Sequence, residues 1–234
     1  MKIDKNIDAN NASWTFKGIE KDFEEHIRKS VPFYDYGHEL VCSYSDFFLS
    51  KNNSVAYEVG CSSGTLMKKL LEWNKHKSLK LIGVDNELGM IDYCKNNCTD
   101  KRASFIYDDI LNFEFDKSNM IFSYYTMQFI HPSNRQEVFN KIYNSLEWGG
   151  AFIFFEKTRA NDARFQDYQN QLYSDFKLAN GFNESEIINK TRSLKGILEP
   201  FSAEGNHGLL ERAGFIDYMT IFKSISFQGF LAIK

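Results

Sequence analysis

The stretch VAYEVGCSSG, residues 55–64, decides the fold. A short apolar run ends on a carboxylate and a glycine. A thiol, two hydroxyls and a second glycine follow. The segment GTLMKKLLEW behind it has apolar residues at helical spacing, so the stretch reads as a buried strand turning into a helix. Such a turn can hold a nucleotide, place a nucleophile, bind a metal, or merely reverse the chain.

Working outward, strands and helices alternate. LKLIGVD (79–85), ASFIYDD (103–109) and AFIFFEK (151–157) read as further strands, and NMIFSYYTMQF (119–129) as a strand running into a loop. Helices are predicted over ELGMIDYCKNN and over SNRQEVFNKIYNSLEWGG, the latter capped by Ser133 and closed by its glycine pair. Nearly continuous apolar strands separated by helices predict a parallel sheet covered on both faces, an α/β Rossmann-like fold. Beyond Lys157 the alternation stops. Helical segments run to Gly214, and residues 215–234 read as an antiparallel hairpin turning near 223–226. The expected organisation is one domain of 234 residues. It has a helical cap at 1–50, a nucleoside-binding core at 55–157, a helical lid at 160–213 and the terminal hairpin.

Composition narrows the function. The net charge of −3 gives no broad electrostatic footprint for nucleic acid, and 22 Phe with 12 Tyr supply an aromatic-rich core. The N-terminal residues lack the apolar centre of a secretory signal, and no run approaches membrane-spanning length. Cys42, Cys61, Cys94 and Cys98 suit a reducing compartment, so a cytoplasmic location is expected. CKNNC (94–98) lacks a second Cys/His pair of suitable spacing, and no metal is expected. Cys61 as a nucleophile would need a histidine neighbour; His131, in FIHPSNR, reads more simply as part of a turn before a helix.

In open α/β sheets ligands collect beyond the carboxyl ends of the strands. Gly60 and Gly64 allow close backbone approach there. The middle glycine of a dinucleotide fingerprint is replaced by Cys61, and no lysine follows Gly64 as a P-loop requires. Glu58 would repel a phosphate and receive an amino group or water. Asp85 ends the second strand, where a carboxylate accepts ribose hydroxyls. Asp109 and Ile110, after the third, bracket an adenine with polar and apolar contacts. Carboxylates at three successive strand ends suit a cationic nucleoside without phosphate, of which S-adenosylmethionine is one.

At this point the chain resembles a known family, the class I methyltransferase-like carboxy-S-adenosyl-L-methionine synthases, from Trp14 to the C-terminus. The segments that carry the likeness are WTF, IRKSVPFY, YEVGCSSG, LIGVDNELGMIDYC, DDI and TMQFIHPSNRQEVFNKIYNSLEWGGAFIFFEK. DFKLANGFNESEIINKTRSLKGIL and LLERAGF continue it. The first strand and turn are general to class I methyltransferases, whereas SVPFY, TMQFI, FFEK and DFKLANGF…KTRS are particular to this family. The resemblance implies conversion of S-adenosylmethionine and prephenate to carboxy-S-adenosylmethionine, phenylpyruvate and water, by a sulfonium ylide capturing carbon dioxide freed from prephenate. The product would serve a separate enzyme that modifies a wobble uridine in tRNA, so this chain need not touch RNA.

By the same resemblance, Arg192 in KTRS pairs with the new carboxylate, and Tyr34 in SVPFY donates beside it. Gly60, Cys61 and Ser62 contact the methionine portion, Asp85 and Asn86 the ribose end, and Asp109 and Ile110 the adenine. The family forms homodimers, and Arg192 is expected to act within one chain or from the neighbouring subunit. There are departures. Tyr124 stands where members usually carry a ligand-contacting Asn, Phe33 replaces a small residue, and Glu58 replaces a shorter acid. Residues 199–208 follow the family poorly. Lys157, Arg159 and His207 are candidates for holding prephenate. The alternatives are a conventional S-adenosylmethionine-dependent methyltransferase with a small acceptor under the lid, and a binding protein without turnover.

Overall fold

Helical spacing gives way to strand spacing at Ser54, and the computed structural model, which describes residues 10–234, follows that change. The expected polar lead falls in part on residues 1–9, outside the described residues. Among the described residues, helices α1 (Phe23–Ser30) and α2 (Tyr34–Phe48) come first. Acidic Glu24 and Glu25 open α1, and basic Arg28 and Lys29 close it, which complements the helix dipole. The alternating core follows: β1 (Ser54–Val59), α3 (Thr65–Trp73), β2 (Leu79–Asp85), α4 (Leu88–Asn97), β3 (Ala103–Tyr107) and β4 (Ser118–Tyr124). Then come α5 (Pro132–Ser145), β5 (Leu146–Lys157), α6 (Ala163–Ala179), α7 (Glu184–Ser193), α8 (Ala203–Ala213), β6 (Asp217–Ser224) and β7 (Phe227–Ile233).

The strands form one sheet in the order β3-β2-β1-β4-β5-β7-β6. β1 to β5 are mutually parallel, and β7 runs antiparallel between β5 and β6. Strand side chains alternate between two buried faces. Phe152 and Phe154 of β5 meet Val138, Phe139 and Ile142 of α5 with Leu209 and Leu210 of α8. Ile153 and Phe155 face the other layer, with Val41 of α2, Met67 and Leu70 of α3 and Ile91 of α4. Cover on both faces explains why the strands read as unbroken apolar runs. The strand order reverses between β1 and β4, which opens a crevice at their carboxyl ends.

Two boundaries differ from the sequence expectation. The N-cap of α5 is His131, not Ser133: Pro132 takes the first helical position, where its missing N–H costs nothing, and the His131 ring accepts the Ser133 N–H at 3.3 Å. The same helix ends at Ser145 instead of the glycine pair. Leu146, fully buried, pairs with Ser118 and starts β5 early, so core burial overrides the helical run. The terminal hairpin turns at Ile225–Ser226, within the expected window. Among the described residues no helix is long and apolar enough to cross a membrane.

Candidate active site

The carboxyl ends of β1 to β4 open on a cavity of about 930 Å³, walled also by α1, α6 and α7. Its floor is the turn after β1. Gly60 has φ +73°, and a Cβ there would run into the Thr126 side chain. The Gly60 and Cys61 N–H groups both donate to the Val84 carbonyl, at 2.8 and 3.2 Å, which ties this turn to β2. Gly64, at φ +72°, then starts α3. Gly60, Cys61, Ser62 and Ser63 all line the cavity.

Asp85 organises the neighbouring strand end. One oxygen accepts the Ser62 N–H at 2.8 Å and the other the Glu87 N–H at 2.9 Å. Burial raises its pKa, an effect those two N–H groups partly offset. Asn86, Asp109 and Ile110 line the same side, and Asp109 accepts the Leu111 N–H at 2.9 Å. Glu58 is 3% exposed and lines the cavity, and its Oε2 has no hydrogen-bond partner among the described residues. Burial pushes its carboxyl well above the usual range, with Cys94 and Asp85 adding to the effect. A buried acid with one open oxygen beside a nucleoside-sized cavity fits an ammonium or ordered-water partner. With Asp85 and Asp109 it makes an edge of carboxyl groups that suits a hydroxyl-rich cation, whose charge favours their ionised forms.

Cys61 lines the turn through its backbone, while its Cβ and Sγ lie over Gly83. Its thiol pKa is raised, first by the hydrogen bond to Cys94 and then by burial, opposite to what a nucleophile needs. The His131 ring is engaged with Ser133 at 2.7 Å.

Tyr34 opens α2 and lines the cavity; burial first, then Glu58, raise its pKa and hold the phenol protonated as a donor. Phe33 before it has φ +55°, a left-handed conformation that glycine adopts without strain. Tyr124, expected among the ligand contacts, lines the cavity. Its Oη donates to the Tyr34 carbonyl at 2.6 Å. The ring fits because residue 37 is glycine: a Cβ there would run into the Tyr124 Oη and come within 3.0 Å of its ring carbon. Gly37→Ala is therefore expected to cost about 1–3 kcal/mol by overpacking. The loss should shrink by at least half in a Tyr124→Leu background, measured by denaturant unfolding. Equal losses in both backgrounds would refute the contact.

Arg192 lies on α7, is exposed in the single chain, and is not among the cavity-lining residues. Its neighbours Lys190, Thr191 and Lys195 do line the cavity, as do Lys157 and Arg159. His207 sits on α8 against Tyr218 and Phe230, away from the cavity. Two further cavity residues escaped the sequence reading. His38 is 1% exposed with both ring nitrogens unpartnered among the described residues, and burial lowers its pKa to about 3. Its position one turn after Tyr34 was the available signal, since residues four apart share a helix face. Lys177 is the second; it faces Lys157 only after the chain has folded back.

Comparison with known proteins agrees with this geometry. Residues 56–150 match the family model described as "Methyltransferase domain". The carboxy-S-adenosyl-L-methionine synthase of Staphylococcus epidermidis is 37% identical over 230 residues, covering 97% of this chain and 100% of that one. The enzyme of the same name from Wolinella succinogenes is 33% identical, covering 91% of this chain and 89% of its own. Among solved structures, the plantazolicin methyltransferase BpumL in complex with SAH superposes with a TM-score of 0.68 at 14% identity, covering 100% of this chain and 96% of that one. Human N-acetylserotonin methyltransferase in complex with SAM gives 0.59 at 15%, covering 97% and 63%. Those structural likenesses establish the class I methyltransferase fold. The matches along almost the whole length, on that fold, place the chain in the carboxy-S-adenosyl-L-methionine synthase family of enzymes.

Proposed function

We propose that this chain binds S-adenosylmethionine and uses prephenate to carboxylate its methyl carbon. The observation that carries the reading is the likeness to named synthases along nearly the whole chain. The acidic edge at β1, β2 and β3 supports it. Asp85 and Asn86 take the ribose, Asp109 and Ile110 the adenine, and the Gly60–Ser62 turn with Glu58 takes the methionine end. Prephenate, on losing its carboxylate and ring hydroxyl, gives phenylpyruvate, carbon dioxide and hydroxide. Hydroxide removes a methyl proton to form water, and the resulting ylide attacks carbon dioxide. The balance closes without an added oxidant or metal.

This chain's residues bind and orient. Tyr34 donates toward the new carboxylate, and Arg192 pairs with it from a second copy of the chain, since within one chain it is exposed and outside the cavity. The product then leaves for an enzyme of tRNA wobble-uridine modification in the cytoplasm. A second reading, plain methyl transfer to a small acceptor, is favoured by that same exposure of Arg192 and by the internal bond of Tyr124.

Mass spectrometry of the nucleoside retained on the purified protein separates the two. The expected mass is S-adenosylmethionine carrying one added carboxyl group. S-adenosylhomocysteine alone would sink the synthase reading and favour the methyltransferase.

A further inference from the structure

The cavity carries opposite charges on different walls. Glu58, Asp85 and Asp109 stand at the strand ends, whereas Lys157 lines the cavity from the end of β5 and Lys177 from α6. The Lys157 ammonium, which closes β5, lies 4.4 Å from the centroid of the Tyr173 ring. Lys177, one helical turn beyond Tyr173, places its ammonium 4.5 Å from the same centroid. Burial, then the neighbouring charges of Lys177 and Lys195, push the Lys157 amine down to about 8. Arg159 lines the cavity too, but it pairs with Glu199 at 3.6 Å. Lys157 forms no ion pair among the described residues.

The wall around this cluster is built and aromatic. The Tyr173 hydroxyl donates to the Ser30 carbonyl at 2.9 Å, its ring meets Phe227 at 5.2 Å, and Phe227 meets Tyr125 at 5.7 Å. The Lys157 N–H donates to Gln128 Oε1 at 2.8 Å, which fixes the end of β5 beside the loop after β4. A ring quadrupole stabilises an ammonium by only about 0.5–2 kcal/mol. That does not offset the cost of withdrawing Lys157 from water beside two like charges. An anionic ligand would.

We propose that Lys157, in the field of Lys177 and Lys195, seats the carboxylate of the second substrate, a small carboxylic acid whose apolar ring lies against Tyr125, Phe227 and Tyr173. The assignment rests on the reading that a cationic nucleoside and an organic anion share this cavity. Attraction between the two then draws the anion toward the sulfonium end of the site, and the aromatic wall selects for a ring.

The test is titration calorimetry on full-length protein, with S-adenosylmethionine, prephenate and phenylsuccinate, a stable aromatic dicarboxylate, as probes. Lys157→Met is expected to weaken prephenate and phenylsuccinate about 20-fold or more, the scale of one charge-assisted hydrogen bond. S-adenosylmethionine affinity should stay within about twofold, because no nucleoside contact is lost. Lys157→Arg should keep most of the anion affinity. If Lys157→Met does not fold, Lys195→Met is read instead, with an expected weakening of about fivefold from the lost field. Unchanged anion affinity in a folded variant, or no binding of either anion by the wild-type protein, overturns the seat. Lys157-dependent anion binding without phenylpyruvate release leaves the seat standing and removes the synthase reading. Phenylpyruvate release with an unchanged prephenate KM in Lys157→Met does the reverse.

Discussion

Arg192→Leu is expected to remove the carboxylated nucleoside from the purified protein while S-adenosylmethionine still binds within about twofold of wild type. A methyl group offers a guanidinium nothing to pair with, so the loss should fall on the product alone. Two charge-assisted hydrogen bonds to a carboxylate contribute about 1.5–3 kcal/mol each, so affinity for the product should fall at least about 100-fold. Lysine in the same place should restore only part of it, since an ammonium cannot make the paired fork. Undiminished carboxylated product in Arg192→Leu would take this residue out of the reaction.

Asp85→Leu should have the opposite signature, losing the nucleoside whatever its methyl carbon carries. Its carboxylate accepts the Ser62 and Glu87 N–H groups, and in the proposed function its remaining lone pairs take two ribose hydroxyls. Leucine leaves two N–H groups without their partner, at about 1–3 kcal/mol each, and removes the hydroxyl contacts as well. The expected loss of S-adenosylmethionine affinity is about 1,000-fold by calorimetry, with far-ultraviolet circular dichroism confirming the fold. Affinity within about fivefold of wild type would place the ribose elsewhere.

The two variants together locate Arg192. If it acts across a subunit boundary, a hybrid of one Arg192→Leu chain and one Asp85→Leu chain contains one intact site and one doubly damaged site. Product then returns, although neither parent makes it. If it acts within its own chain, the hybrid is as inactive as its parents.

Much of this was legible in the residues themselves. VAYEVG followed by GTLMKKLLEW forced a strand-turn-helix unit, because apolar spacing changed period at the glycines. The acids at 58, 85 and 109 shared an edge once the strands were taken as parallel, since equivalent strand ends then fall on one side of the sheet. Boundaries were less legible. Leu146 left the helical run for β5 because a long-range partner, Ser118, decided its burial. The partner of the Tyr124 hydroxyl was not legible for a similar reason: it is the Tyr34 carbonyl, 90 residues away in the chain.

The sequence by itself determined the alternation of strands and helices, the acids at the strand ends and the family, since all three are written in local spacing and contiguous motifs. Only the tertiary structure decided how polar groups are spent. It joined Tyr124 to the space left by Gly37, left an oxygen of Glu58 open, held Arg192 outside its own cavity, and set Lys157 and Lys177 against one tyrosine ring. Periodicity records which side of an element is buried. It carries no distance between side chains on elements far apart in the chain, and hydrogen bonding and charge coupling depend on that distance.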